Sequence, residues 1–158
     1  MSIQFEPRTA RQQASATGPV IVAGYDGSPE SRAAVANAEQ RAGPQGTVVV
    51  VHVADSVSDW LGTPYYDRAV EAEHLAARTL LDEIEESANG EPAIEHAIVE
   101  GDPAEALMRV AQARDAREIV VGSRGRGRLR AVMGSVSHRL LERSDRPVVV
   151  IPPLDRRS

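Results

Sequence analysis

From Val20 onward, short apolar runs rich in β-branched residues alternate with longer segments whose apolar residues recur at helical spacing. The runs are Val20–Ala23, Thr47–Val53, Ile94–Val99, Glu118–Val121 and Val148–Ile151. Each is bounded by Gly, Pro or charged residues, and they read as five strands. Four helices separate them. The first takes Ser28 as N-cap and Pro29 as its first residue, carries Ala33, Ala34, Val35, Ala36 and Ala38, and stops at Gly43-Pro44. The second runs from about Asp67 to Ala88 with Leu75, Leu80, Leu81 and Ile84 on its inner side. The third opens on Asp102-Pro103-Ala104-Glu105, an Asp cap with Pro next and an acid at the third helical position. The fourth starts at Ser135 and turns Val136, Leu140 and Leu141 inward. Residues 1–18 carry no such period and read as a flexible N-terminal tail, which leaves one domain over residues 19–153.

Strands that alternate with helices in this way are parallel and joined by right-handed crossovers, so the pattern predicts an α/β fold with an open five-stranded sheet and helices on both faces. A sheet of that kind takes its ligands outside the carboxyl ends of the strands, where the strand order reverses. The loops after Ala23, Val53, Val99 and Val121 are therefore the places to look for chemistry. Composition agrees with the architecture: 42% of the residues are apolar but only 3% aromatic, so the core falls to Val, Ala, Leu and Ile.

Several classes of chemistry are excluded by missing side chains. There is no cysteine, hence no thiol nucleophile, thiolate metal site or disulfide. All 18 basic residues are Arg, and without Lys there is neither Schiff-base chemistry nor a Walker-type phosphate loop. A net charge of −5 argues against nucleic acid as a partner. No apolar run approaches the ~20 residues that span a bilayer, and the polar start is unlike a signal peptide. The expectation is a cytoplasmic protein with no membrane partner.

The strongest local signal is Val121-Gly122-Ser123-Arg124-Gly125-Arg126-Gly127, leaving the fourth strand, followed by Gly134-Ser135 at the start of the last helix. Glycines there allow a ligand to approach the backbone, and Ser135 with the N–H groups of the first helical turn offers an anion site. Arg124 lies between two of the glycines and is the best-placed cation; Arg126, Arg128 and Arg130 read as a solvated basic loop. After the first strand comes Gly24-Tyr25-Asp26-Gly27-Ser28. With Ser28 placed to cap the helix, Asp26 is left to bind a ribose hydroxyl or a Mg²⁺ ion shared with phosphates. His52, His74, His96 and His138 have no metal-ligand spacing, and no base stands near Ser123 or Ser135 for nucleophilic catalysis.

In three stretches the chain resembles the universal stress protein family, in its ATP-binding branch: Val20 to Ser28, Val51-His52-Val53, and Gly122 to Gly125 continuing through Gly134 to Ser137. The resemblance covers about residues 19–152. The family pattern sets nine residues between the second and third glycines of its loop; here eight separate Gly125 from Gly134. The resemblance implies a Rossmann-like fold, similar to that of the adenine nucleotide alpha hydrolases, with strand order 3-2-1-4-5. It implies ATP as ligand, and the position of Asp26 then makes Mg²⁺ bridging the phosphates, with Asp26 as its protein ligand, the accompanying expectation. Val53 would meet adenine, Gly24, Tyr25 and Asp26 would line base and ribose, and Val121, Gly122, Arg124 and Gly125 would flank ribose and phosphates. Gly134, Ser135, Val136 and Ser137 would hold the phosphates. It also implies a homodimer joined through the last strand.

Binding with a regulatory role in stress response is one function this supports. A slow ATPase and a cyclic-AMP binder of the same family are the alternatives. A phospho-receiver domain of similar topology needs a Lys partner that the sequence lacks.

Overall fold

β-Branched runs pair because both faces of each strand can be covered by helices. The computed structural model describes residues 4–6, 17–54, 65–87, 92–124 and 133–153. Among the described residues six strands form one sheet: β1 (Gln4–Glu6), β2 (Val20–Gly24), β3 (Thr47–Ala54), β4 (Ala93–Glu100), β5 (Glu118–Gly122) and β6 (Val148–Ile151). Their order is β1-β4-β3-β2-β5-β6. The five strands β2 to β6 are parallel and, counted among themselves, stand in the order 3-2-1-4-5. β1 is an addition to the sequence reading. It pairs antiparallel with β4, Phe5 opposite Ala97, so three residues of the segment read as a free tail instead cover one edge of the sheet.

Helices α1 (Pro29–Ala42), α2 (Tyr65–Ser87), α3 (Pro103–Ala113) and α4 (Ser135–Arg143) lie between the strands in sequence. Alternation along β3 decides which helix meets which face. Val48 and Val50 belong to a core with Ala34, Ala38, Leu81 and Ile84 of α1 and α2, whereas Val49 and Val51 join Leu107, Val110 and Leu140 of α3 and α4. Caps form as the sequence predicts: Ser28 Oγ accepts from the Ser31 N–H and Asp102 Oδ1 from the Glu105 N–H. Two residues depart from the expected inner faces. Leu75 is 67% exposed and Leu141 50% exposed, so the apolar stripes of α2 and α4 are narrower than their leucines suggest.

At the amino end of β5, Glu118 is buried and clamped by Arg41 from the last turn of α1. Arg41 Nε donates to Oε1 at 2.9 Å and Nη2 to Oε2 at 2.5 Å, with Arg117 Nη2 3.2 Å from Oε1. The Arg41 hydrogen bonds, followed by those of Arg117, hold the Glu118 carboxyl below its usual range despite burial. A carboxyl whose folded pKa is depressed stabilises the fold fully above its unfolded pKa, about 4.3, and loses that contribution as pH falls through the folded value. Glu118→Gln should therefore be less stable than the parent at neutral pH by roughly 1–3 kcal/mol. The gap should narrow in acid; urea titrations at pH 7 and pH 3 that give the same gap would refute this account.

Candidate functional site

β2 pairs with β3 on one side and β5 on the other, and the crossovers leave in opposite directions, so the loops after β2 and β5 open a crevice between them. Its volume is about 390 Å³, within the range of roughly 300–1,000 Å³ typical of small-molecule sites. On the β2 side it is lined by Gly24, Tyr25 and Asp26, and on the β3 side by Val53. Val121, Gly122 and Arg124 follow from β5, and Gly134, Ser135, Val136 and Ser137 from the start of α4. The fold thus brings eleven of the twelve residues singled out from sequence to one cavity. The twelfth, Gly125, lies outside the described residues, as do Arg126, Arg128 and Arg130.

The loop after β2 is held by its own hydrogen bonds. Tyr25 N–H donates to Val51 O at 2.9 Å, and His52 Nδ1 lies 3.0 Å from Tyr25 O. His52 is buried and thus serves as an anchor of this loop, consistent with a packed histidine. Asp26 Oδ1 accepts from the Ser28 N–H at 3.0 Å, and Asp26 N–H reaches Ser31 Oγ at 3.3 Å. One carboxylate oxygen of Asp26 is therefore already engaged in ordering the turn. Gly27, with φ 81°, is the residue of this turn that requires glycine.

Across the crevice, Gly134 is the N-cap of α4 and brings no side-chain acceptor to its first turn. The first-turn residues Ser135, Val136 and Ser137 line the crevice, and their N–H groups receive no side-chain cap from Gly134 at the positive end of the helix dipole. Gly134 N–H donates to Ser123 O at 2.6 Å, which ties the cap to the end of β5. Ser137 also lines the crevice, but its hydroxyl is occupied: Oγ lies 3.0 Å from Gly134 O and 3.3 Å from Ser123 O. Its contribution to an anion is its backbone N–H rather than its side chain. Arg124 Nε is shielded from solvent without a hydrogen-bond partner, a donor available beside the same mouth.

Sequence reasoning missed the far wall, made by Pro103 and Leu107 of α3 with Met133. The signal was present in the loop after β4: a capped helix start there places Leu107, one turn in, over the ends of the central strands. Exposed ion pairs between Arg139 and Asp102 and, at 2.5 Å, between Arg143 and Glu105 join α3 to α4. The Asp102 carboxyl is held low first by the Glu105 N–H and then by Arg139. Among the described residues no group of three or more metal-binding side chains occurs, and no helix is long and apolar enough to cross a membrane.

The fold is shared with known proteins. A universal stress protein of Thermus aquaticus, encoded beside a QAH/OAS sulfhydrylase, is 31% identical over 138 residues, 83% of this chain and 96% of its own. The solved UspA of Lactobacillus plantarum superposes with a TM-score of 0.71 at 22% identity, covering 84% of this chain and 97% of that one. A universal stress protein solved in complex with cAMP gives a TM-score of 0.62 at 24% identity, over 85% and 97% of the two chains. The sequence model of the universal stress protein family matches residues 19–152, nearly the whole chain, and with the Thermus relative it establishes that this chain belongs to the universal stress protein family.

Proposed function

We propose that the crevice binds an adenine nucleotide, ATP, and that occupancy rather than turnover is the protein's regulatory output in the stress response of the cytoplasm. The observation that carries this reading is the first turn of α4, which has no side-chain cap and whose residues line a cavity of suitable size. Adenine and ribose would lie along Val53, Tyr25 and Asp26, and the phosphates along Gly122, Arg124, Gly125 and residues 134–137. The absence of Lys favours binding over fast hydrolysis. Mass spectrometry of the ligand released from freshly purified, denatured protein tests the assignment, and intact ATP is the expected result. Cyclic AMP is the competing ligand, favoured by the eight-residue spacing and by the relative solved with cAMP; its recovery instead of ATP would replace the reading. Release of ADP at a steady rate would mark a slow ATPase.

A single carboxylate suits Mg²⁺ here, because that ion keeps several waters and takes its remaining ligands from phosphates. Asp26, which lines the crevice, would hold it. Asp26→Ala should weaken ATP binding more in Mg²⁺ than in EDTA. Equal losses in the two buffers would assign Asp26 to the ribose, and no loss would reduce it to a turn residue.

The homodimer is proposed through β6. Its four apolar residues are only partly buried and it forms the sheet edge that β1 does not cover, an arrangement suited to pairing with a second copy. Val149→Arg should give monomers in sedimentation velocity; an unchanged dimer would exclude this edge.

A further inference from the structure

Ser123 lines the crevice, yet its hydroxyl makes no hydrogen bond within the fold. Its backbone is fully engaged. The N–H donates to Ile151 O at 2.7 Å, and the carbonyl accepts from the Gly134 N–H and faces Ser137 Oγ. The residue is 4% exposed and its Oγ is shielded from solvent without a hydrogen-bond partner. A buried hydroxyl left unpaired opposes folding, and such groups are rare enough in native proteins that each calls for a reason. An alanine would fill nearly the same space without that penalty.

We infer that the Ser123 hydroxyl is a ligand contact, donating a hydrogen bond to a phosphate oxygen of the nucleotide bound at the start of α4. The inference rests on the nucleotide reading above and extends it to a residue outside that set. Position favours phosphate over base or ribose: Ser123 is one hydrogen bond from Gly134, the cap of α4, and is the chain neighbour of Arg124. Rotation about χ1 moves a serine hydroxyl between staggered positions without moving the backbone, so a shielded Oγ can turn onto an arriving ligand. A trapped water would also satisfy the hydroxyl, and binding measurements distinguish the two.

The test is Ser123→Ala in the full chain, with calorimetric titration of ATP and of adenosine, and thermal unfolding without nucleotide. Affinity for ATP should fall roughly tenfold, the loss expected for one hydrogen bond to a charged group. Adenosine, which has no phosphate, should bind parent and variant within about twofold of each other. The melting temperature should stay the same or rise, because an unpaired polar atom has been removed. Unchanged ATP affinity, an equal loss for adenosine, or a melting temperature lower by several degrees would each overturn the inference. If the parent binds neither ATP nor adenosine, the nucleotide reading itself fails; if the parent binds ATP and the variant matches it, only the role of Ser123 falls.

Discussion

Gly134→Asp is expected to abolish measurable ATP binding while leaving the ligand-free protein about as stable as the parent. Gly134 has φ −75° and ψ 160°, an extended conformation open to any residue, so its backbone does not require glycine. Aspartate is among the best N-cap residues, and its carboxylate would accept from the first-turn N–H groups that Gly134 leaves without a side-chain partner. The gain over glycine is a few tenths of a kcal/mol. A Cβ there would meet Ser123 O at 3.1 Å, a tight contact that a small shift relieves and that offsets part of the gain. For the ligand both effects are adverse, since the N–H groups are taken and a negative charge stands where the phosphates would dock. The loss should be on the order of 100-fold or more, several charge-assisted hydrogen bonds being replaced by repulsion. Calorimetry with ATP and a melting curve without it read the two halves of the prediction. ATP binding within about twofold of the parent would show that α4 does not hold the phosphates.

Gly122→Ala should behave in the opposite way, destabilising the protein before any ligand is added. A Cβ at Gly122 would fall 2.8 Å from Glu30 Cβ, 3.0 Å from Glu30 C and 3.1 Å from Arg124 O. Glu30 belongs to the first turn of α1, so the glycine at the end of β5 is what lets that helix start close against the sheet. Overpacking of this kind costs typically 1–3 kcal/mol, and a contact with helix backbone belongs toward the upper end. Urea denaturation should register that loss directly, and an unchanged midpoint would refute the packing argument. Gly122→Glu, an obvious way to block the crevice, would lower the melting temperature as well as binding, so it cannot isolate the ligand's contribution.

These two glycines carry different structural demands. Both were read as glycines that admit a ligand. For Gly134 the geometry is consistent with that reading, because neither its φ nor a severe clash demands glycine. For Gly122 a packing demand is added that only the position of α1 reveals. The parallel strands were legible because β-branched runs bounded by turn residues have few other uses, and the caps at Ser28 and Asp102 because their chemistry is local. Strand order was not legible from pattern; it came with the family resemblance and agrees with the observed pairing. β1 escaped notice because three residues without an apolar period become a strand only when β4 offers an open edge. Leu75 and Leu141 misled because helical spacing gives a face but not how much of it the sheet covers. The wall of Pro103 and Leu107 depends on how α3 packs over the sheet beside α4, a tertiary fact.

Calorimetric titration of ATP with Mg²⁺ into nucleotide-stripped protein tests the central claim most directly. The account predicts saturable binding of about one ATP per chain, as for a single cleft at the switch point, together with its loss in Gly134→Asp. A parent protein that stays folded and gives no saturable heat with ATP would contradict it.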